Sequence, residues 1–430
     1  MAKRVLIITY YWPPSAGSGV QRWLKFAKYL PEFGWEPVIF TPENPDFELK
    51  DESLEKEISP TLEVLKFPIW EPYGLFRKIK KEQLADTSKV LEKKKKSFTD
   101  KAGIWLRANA LIPDPRKFWI KPSVEFLTEL IEKGQFDAII TTGPPHSLHL
   151  IGLILKRKTG IKWIADFRDP WSKWEFLDTL PMMDWVRKKH ETFEKEVLSE
   201  ADSIMTISPT FQKDFENLSG KKIHLLTNGF DMTDLPENWS ALKPSANGLE
   251  ILYTGVIDSI RNPIPFLTAL KEVFEKKSEK VNLRFVGKVS ENVKSEIESD
   301  SWLKEHVILE GYVTHEAIFK FYQNAHLLLL ILTDTKNAQG NIPGKLFEYI
   351  ATRRPIIALG DPDGDSAKIL YNSGSGNVYT HKDIQGIRSF MQDFQPKSDF
   401  SESSSIENYS RKKLTKQLAK ILNENANSVS

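Results

Sequence analysis

The 430-residue chain contains no cysteine, which excludes disulfides, thiolate nucleophiles and cysteine-ligated metals. Histidine is scarce, and none stands in an HExxH or similar ligand spacing, so a bound zinc is not expected. A large charge of one sign is lacking as well: the net charge is +2, and no global argument points to nucleic acid. No apolar run reaches the length of a membrane span. The opening MAKRVLIITYYWPP has basic residues before an apolar run. That run is short, ends in Tyr10, Tyr11 and Trp12 and lacks a small-residue cleavage site, so it reads as a first strand. The expected location is cytoplasmic, with contact to the inner face of a membrane left open.

What is present is an alternation of short apolar runs and amphipathic stretches. Residues 4–12 read as a strand, Pro13 to Gly19 as a turn-rich loop, 20–33 as a helix closed by Gly34, and 38–40 as the next strand. This βαβ opening carries Gly17 and Gly19 but not the full dinucleotide fingerprint, which disfavours a nicotinamide cofactor. Further strands are expected at 62–67, 136–142, 162–167, 203–207 and 223–226, with helices at 146–158 and 183–199. From Asn228 to Gly248 the chain turns polar and proline-bearing and reads as an interdomain linker. A second series follows, with strands near 251–256, 283–286, 307–309, 326–332 and from Pro355, and helices at 265–276 and 316–324. The chain therefore reads as two αβ domains of one kind, without repeated sequence. Between Glu71 and Lys121, Arg77, Lys78, Lys80, Lys81 and Lys93 to Lys96 mix with Leu75, Phe76, Ile104, Trp105 and Leu106. Such a segment either adsorbs to an anionic bilayer or is a solvated insertion.

The most informative stretch is NAQGNIPGKLFEYIATRR, from Asn337 to Arg354, set between two buried-strand patterns. It reads as a loop with Gly340, Pro343 and Gly344 leading into a helix that starts at Lys345. Glycine lets backbone donors approach a ligand, and a helix N-terminus favours a phosphate. Lys345 and Glu348 share a helix face, one suited to phosphate and the other to sugar hydroxyls. An ordinary βα turn with a solvated Glu348 fits the same letters. Tyr253-Thr254-Gly255 ends the second domain's first strand, and Arg261 follows. An arginine there is either a two-donor phosphate grip that converges with Lys345 on one diphosphate, or a surface residue. In the first domain, the loops at 143–147 and 166–171 lie at strand ends, where open parallel sheets bind ligands. His146 either caps a helix or meets ligand, and Asp166 either pairs with Arg168 or meets ligand. Asp169 stands before Pro170 and Trp171, an aromatic suited to stacking on a sugar or lipid. The acidic run from Asp361 to Asp365 is read as turn and cap chemistry before a metal site.

Taken together, the PPSAGSG, TTGPPHS, ADFRDPW, TNGFD, LYTGV, EGYVTHEAIFKFYQNA and NIPGKLFEYIATRRPIIAL segments resemble, in this order and over nearly the whole chain, a family 4 glycosyltransferase of the GT-B fold. That resemblance implies two Rossmann-like αβ domains facing a cleft, an acceptor domain at 1–235 with an insertion near 71–121 and a nucleotide-sugar domain at 236–403. A final helix and tail at 404–430 is implied to cross back to the first domain. It also implies transfer of a sugar with retention, no metal and no cofactor, the nucleotide-diphosphate sugar being the donor substrate and a saccharide or a lipid-linked hydroxyl the acceptor. Glu348 matches the carboxylate that binds ribose, Arg261 the diphosphate cation, Gly17 and Gly19 the phosphate-facing loop beside Arg168, and Tyr312 and Val313 the base contact. Gly340 stands where the family has the first glutamate of a pair, the one on the donor sugar. Lys345 and Asn341 are the expected substitutes, beside the Gly255, Pro343 and Gly344 backbone, while Asp169 or His146 is expected to orient the acceptor. A polysaccharide or glycolipid pathway is expected. Two other functions fit the residues: a nucleotide-sugar epimerase on the same fold, and a non-catalytic nucleotide-sugar-binding partner of a polysaccharide assembly.

Overall fold

The computed structural model describes residues 2–47, 49–72, 98–236, 239, 244, 248–396 and 406–426. Arg77, Lys78, Lys80, Lys81 and the lysines at 93–96, on which the bilayer reading chiefly rested, lie outside them. The chain divides into two compact units, Met1–Asn228 with Arg411–Ser430, and Gly229–Ser410. The first break falls seven positions before the expected 235/236 boundary, for a packing reason. Phe230, Leu235 and Trp239 are buried in the second unit's core, and Phe230 N–H bonds Tyr409 O there. Turn-rich spelling thus concealed three apolar anchors.

In the first unit, seven parallel strands run in the order β3-β2-β1-β4-β5-β6-β7. They are β1 (Lys3–Ile8), β2 (Trp35–Pro42), β3 (Glu63–Phe67), β4 (Ala138–Gly143), β5 (Lys162–Phe167), β6 (Ser203–Thr206) and β7 (His224–Leu225). Val5 to Ile8 and the whole of β4 are buried, as expected of strands covered on both faces. The helices are α1 (Ser18–Tyr29), α2 (Phe98–Ala110), α3 (Lys117–Glu132), α4 (Ser147–Thr159), α5 (Glu175–Asp178), α6 (Asp184–Glu200) and α7 (Pro209–Ser219). Helix α3 has no counterpart in the sequence reading, because Pro122 stands inside it and an internal proline removes a helix donor.

The second unit is a six-stranded parallel sheet, β10-β9-β8-β11-β12-β13. Its strands are β8 (Leu249–Thr254), β9 (Val281–Val286), β10 (Val307–Gly311), β11 (Leu327–Ile331), β12 (Ile356–Leu359) and β13 (Gly376–Tyr379). Its helices are α8 (Ile264–Phe274), α9 (Glu291–Ser299), α10 (Ser301–His306), α11 (His315–Asn324), α12 (Gly344–Thr352), α13 (Asp365–Ser373) and α14 (Ile384–Asp393). The last helix, α15 (Arg411–Ala426), belongs to the first unit. Its Leu414, Leu418 and Leu422 pack with Trp23 and Phe26 of α1, and Asn423 accepts a hydrogen bond from Trp35 Nε1 at 3.2 Å.

Both sheets therefore reverse direction of winding between their first and fourth strands, at β1/β4 and at β8/β11. In an open parallel sheet the carboxyl ends of such a strand pair leave a crevice for ligand.

Candidate active site

At the β8/β11 crevice, Lys345 rises from the first turn of α12 and turns back over β8. Its Nζ donates to Thr254 O at 2.5 Å and to Tyr253 Oη at 3.1 Å, and lies 4.3 Å from the Tyr253 ring centre. Burial, reinforced by the neighbouring Arg261 charge and opposed by Glu348 and Asp258, lowers its pKa to about 7. Arg261 is held by Asp258, whose Oδ2 takes Nη1 at 2.7 Å and whose Oδ1 takes the Arg261 N–H at 3.1 Å. Asp334 N–H bonds Ile260 O at 3.2 Å, so the loops after β8 and β11 are joined beside the arginine. Two cations, one on the loop after β8 and one in the first turn of α12, the second easily deprotonated, are groups that can hold a doubly charged anion.

Glu348 sits one turn along α12, where its Oε2 accepts the Tyr322 hydroxyl at 3.0 Å. Tyr322 Oη is 3.3 Å from Thr254 Oγ1, which is 3.1 Å from Tyr349 Oη, and Tyr349 Oη also accepts the Thr254 N–H at 2.8 Å. This chain of hydroxyls fixes the carboxylate against the end of β8. Sequence reading missed Asp258, Tyr253, Tyr322 and Tyr349. Only Tyr349, next to Glu348 on an apolar helix face, left a readable signal, since a buried phenol needs a partner.

Gly340 closes a 3₁₀ turn, its N–H bonding Asn337 O and the Asn341 N–H bonding Ala338 O at 3.2 Å each. Those two amides are used within the turn, so the expected cradle of Gly340 to Gly344 donors narrows to the α12 start, where Pro343 is the N-cap and Gly344 the first residue. Asn341 Nδ2 donates to Thr333 Oγ1 at 3.0 Å, which ties the side chain to the end of β11. Tyr312 and Val313 follow β10, at the same sheet edge but two strands from β8; Tyr312 is exposed and Val313 packs on the core. Gly255 has φ +120°, and a Cβ there would collide with the Lys345 ammonium. Gly255→Ala is expected to cost about 1–3 kcal/mol in urea unfolding, from backbone strain, and to displace Lys345.

At the β1/β4 crevice, Arg168 straps two loops. Its backbone N–H and Nε both donate to Gly143 O, at 3.1 and 3.3 Å, and Nη2 donates to Pro144 O at 2.5 Å. The guanidinium lies against Gly19 so closely that a Cβ there would push it aside, while Gly17 has φ +111°. Asp166 does not pair with Arg168, contrary to one local reading. It is fully buried against Arg22, with Oδ1 to Nη2 at 2.8 Å and Oδ2 to Nε at 3.1 Å. Its neighbour in sequence is drawn away to the carbonyls of β4. His146 occupies the N-cap position of α4 but makes no cap bond. Asp114 does so instead, accepting the Ser147 N–H at 2.8 Å and its hydroxyl at 3.0 Å. The His146 ring lies flat on Trp171, 4.7 Å between centres, with both ring nitrogens buried and without a hydrogen-bond partner. Burial, helped by nearby His149, His190 and Arg168, keeps its pKa far below the ordinary range, so the ring is neutral. Asp169 is half-buried, and burial raises its pKa against the pull of Arg168. A neutral imidazole and a raised carboxyl are groups that can orient a hydroxyl and exchange its proton. Among the described residues, no three His, Asp or Glu side chains are grouped to hold a metal.

Two family models match this chain in the same order as its units: a glycosyl transferase 4-like domain over residues 17–229 and glycosyl transferases group 1 over residues 248–388. The chain belongs to the family 4 glycosyltransferases. Solved structures of the GT-B fold align with it along nearly their full lengths. A glycosyltransferase from Rickettsia africae is 13% identical, covering 99% of each chain at a TM-score of 0.63. HepE from Anabaena, solved with UDP-glucose, is 13% identical, covering 98% of this chain and 99% of its own at 0.62. Sucrose-phosphate synthase from Thermosynechococcus elongatus is 14% identical, covering 99% and 96% at 0.58. At such identities these likenesses show the fold. No curated protein matches the chain. Among the described residues of this glycosyltransferase, no helix is long and apolar enough to cross a membrane.

Proposed function

We propose that this glycosyltransferase moves a sugar from a nucleoside-diphosphate sugar to a hydroxyl acceptor with retention of configuration, needing neither metal nor cofactor, in the building of a polysaccharide or glycolipid. The observation that carries the reading is the pair of cations at the β8/β11 crevice, Arg261 on the loop after β8 and Lys345 in the first turn of α12 with its ammonium on Thr254 O at the end of β8, with Glu348 one turn along that helix. The diphosphate lies on the cations and the α12 start, Glu348 takes the ribose hydroxyls, and Tyr312 and Val313 meet the base. Gly340 brings no carboxylate to the donor sugar, and Asn341 is tied to Thr333.

In the reaction the bond between the sugar anomeric carbon and the leaving phosphate oxygen breaks, and a bond from the acceptor oxygen forms on the same face. The acceptor proton passes to that leaving oxygen. Negative charge grows on the diphosphate as the sugar becomes cationic, and Arg261 and Lys345 stabilise it without reorganising. Asp169 and His146 in the first unit orient the acceptor hydroxyl, with Gly17, Gly19 and Arg168 shaping the loop around it.

UDP-glucose, the ligand of the Anabaena neighbour, is the first probe of a calorimetric screen of nucleotide sugars. One nucleotide sugar is expected to bind, with affinity reduced at least tenfold in Glu348→Ala and in Arg261→Ala, since each removes a charge-assisted contact. Unchanged affinity in both variants, or no binding of any nucleotide sugar, overturns the donor assignment.

A further inference from the structure

A cavity of about 360 Å³ opens in the first unit beyond the carboxyl ends of β1, β4 and β5. That is large enough for a hexose with part of an aglycone, at the lower end of roughly 300–1,000 Å³ for ligand pockets. Trp171, Trp174, Phe176, Leu177 and Leu180 make its walls largely apolar. His146 also lines it, and its two partnerless ring nitrogens are the buried polar atoms that a bound hydroxyl would satisfy.

The apolar lining does not stop at the cavity. Past Leu180 the chain meets α2, where Asn109 Nδ2 donates to Pro181 O at 2.9 Å and Asn109 Oδ1 accepts the Met183 N–H at 2.8 Å. The same Asn109 amide reaches Trp105 O at 2.8 Å. This clamp draws the turn of α2 bearing Trp105 and Leu106 against the segment bearing Met183 and Trp185. These four large side chains are 43, 45, 41 and 54% exposed, and a run of exposed apolar groups beside a pocket marks a contact surface for something apolar.

We propose that the acceptor is an amphiphilic glycoside. Its sugar stacks in the cavity on the partly exposed Trp174, a hydroxyl meets His146, and its hydrocarbon aglycone runs along Leu177 and Leu180 onto Trp105, Leu106, Met183 and Trp185. This rests on the first unit's being the acceptor unit, as argued above. A free saccharide leaves the second half of that path empty, whereas an alkyl chain buries it, each methylene adding to affinity.

The test is calorimetry on the full chain with glucose, octyl glucoside and dodecyl glucoside, each below its micellar concentration. Dodecyl glucoside is expected to bind at least tenfold more tightly than octyl glucoside, and glucose far more weakly than either. Leu180→Asp and Trp185→Ser, at positions not deeply buried, are expected to remove the chain-length gain without loss of fold by circular dichroism. Equal affinity for the three probes, or an undiminished chain-length gain in both variants, overturns the proposal. UDP-glucose and the other nucleotide sugars are titrated into the same samples. Absent donor binding sinks the transferase reading, whereas donor binding without chain-length dependence sinks only the amphiphile.

Discussion

Lys345→Met is expected to lower kcat about a hundred- to a thousand-fold while leaving the fold intact, the size seen when one preorganised donor to a developing charge is removed. The side chain lies within the crevice rather than the sheet core, and methionine fills similar volume without an ammonium. The effect should fall on kcat more than on donor affinity, because charge on the diphosphate grows as the sugar bond breaks. An equal loss in affinity with kcat unchanged would show that Lys345 binds donor and transition state alike.

The same residue sets a pH dependence whose sign is fixed. In the free protein the Lys345 pKa is lowered to about 7, chiefly by burial, and a diphosphate alongside raises it. The bound form therefore holds more protons than the free form between pH 7 and the bound pKa. Donor affinity is expected to be highest below pH 7 and to weaken as pH rises from 7 toward the bound pKa. Binding at pH 8 should take up a proton, seen as calorimetric heats that change with the ionisation heat of the buffer. The uptake should vanish in Lys345→Met.

Much of this was legible beforehand, for a reason visible in particular residues. Runs such as Leu327 to Ile331 and Ile356 to Leu359 are apolar on both faces, so both strands and the α12 crossover between them were readable from spacing alone. The GNVY spelling of β13 and the proline inside α3 concealed elements that tertiary packing supports. At the site, the side chains on their own helix or loop, Lys345, Glu348 and Arg261, stood out. Their partners did not, because Tyr322 lies 26 positions from Glu348 and Tyr253 lies 92 from Lys345, and no local period links such pairs. Asp166 illustrates the opposite error: two positions from an arginine in sequence, it pairs with another 144 positions away.

That distant pair gives the largest expected loss of stability. Arg22 and Asp166 are both fully buried, and the arginine also donates from Nη1 to Thr227 O at 2.9 Å, tying α1 to β5 and to the end of the unit's first segment at Asn228. Asp166 further accepts Trp23 Nε1 at 3.1 Å and the Thr142 hydroxyl at 2.9 Å. Arg22→Met leaves a carboxylate without its cation, and Asp166→Leu leaves a guanidinium without its anion. Each is expected to lower the first unit's unfolding free energy by about 3–5 kcal/mol, the range for breaking a buried pair from one side. The double variant should lose about 1–3 kcal/mol less than the sum, because neither charge is then stranded. It should not regain full stability, since Trp23 Nε1 and the Thr142 hydroxyl have lost their acceptor. Urea unfolding of the four proteins closes the cycle, and strictly additive losses would mean that the two charges are solvated independently. The consequence reaches the site, because Asp166 anchors the end of β5, just before the turn that delivers Arg168 to Gly143 and Trp171 to His146. Acceptor affinity should therefore fall in Asp166→Leu even at temperatures where the protein stays folded, while nucleotide-sugar binding in the second unit is unchanged.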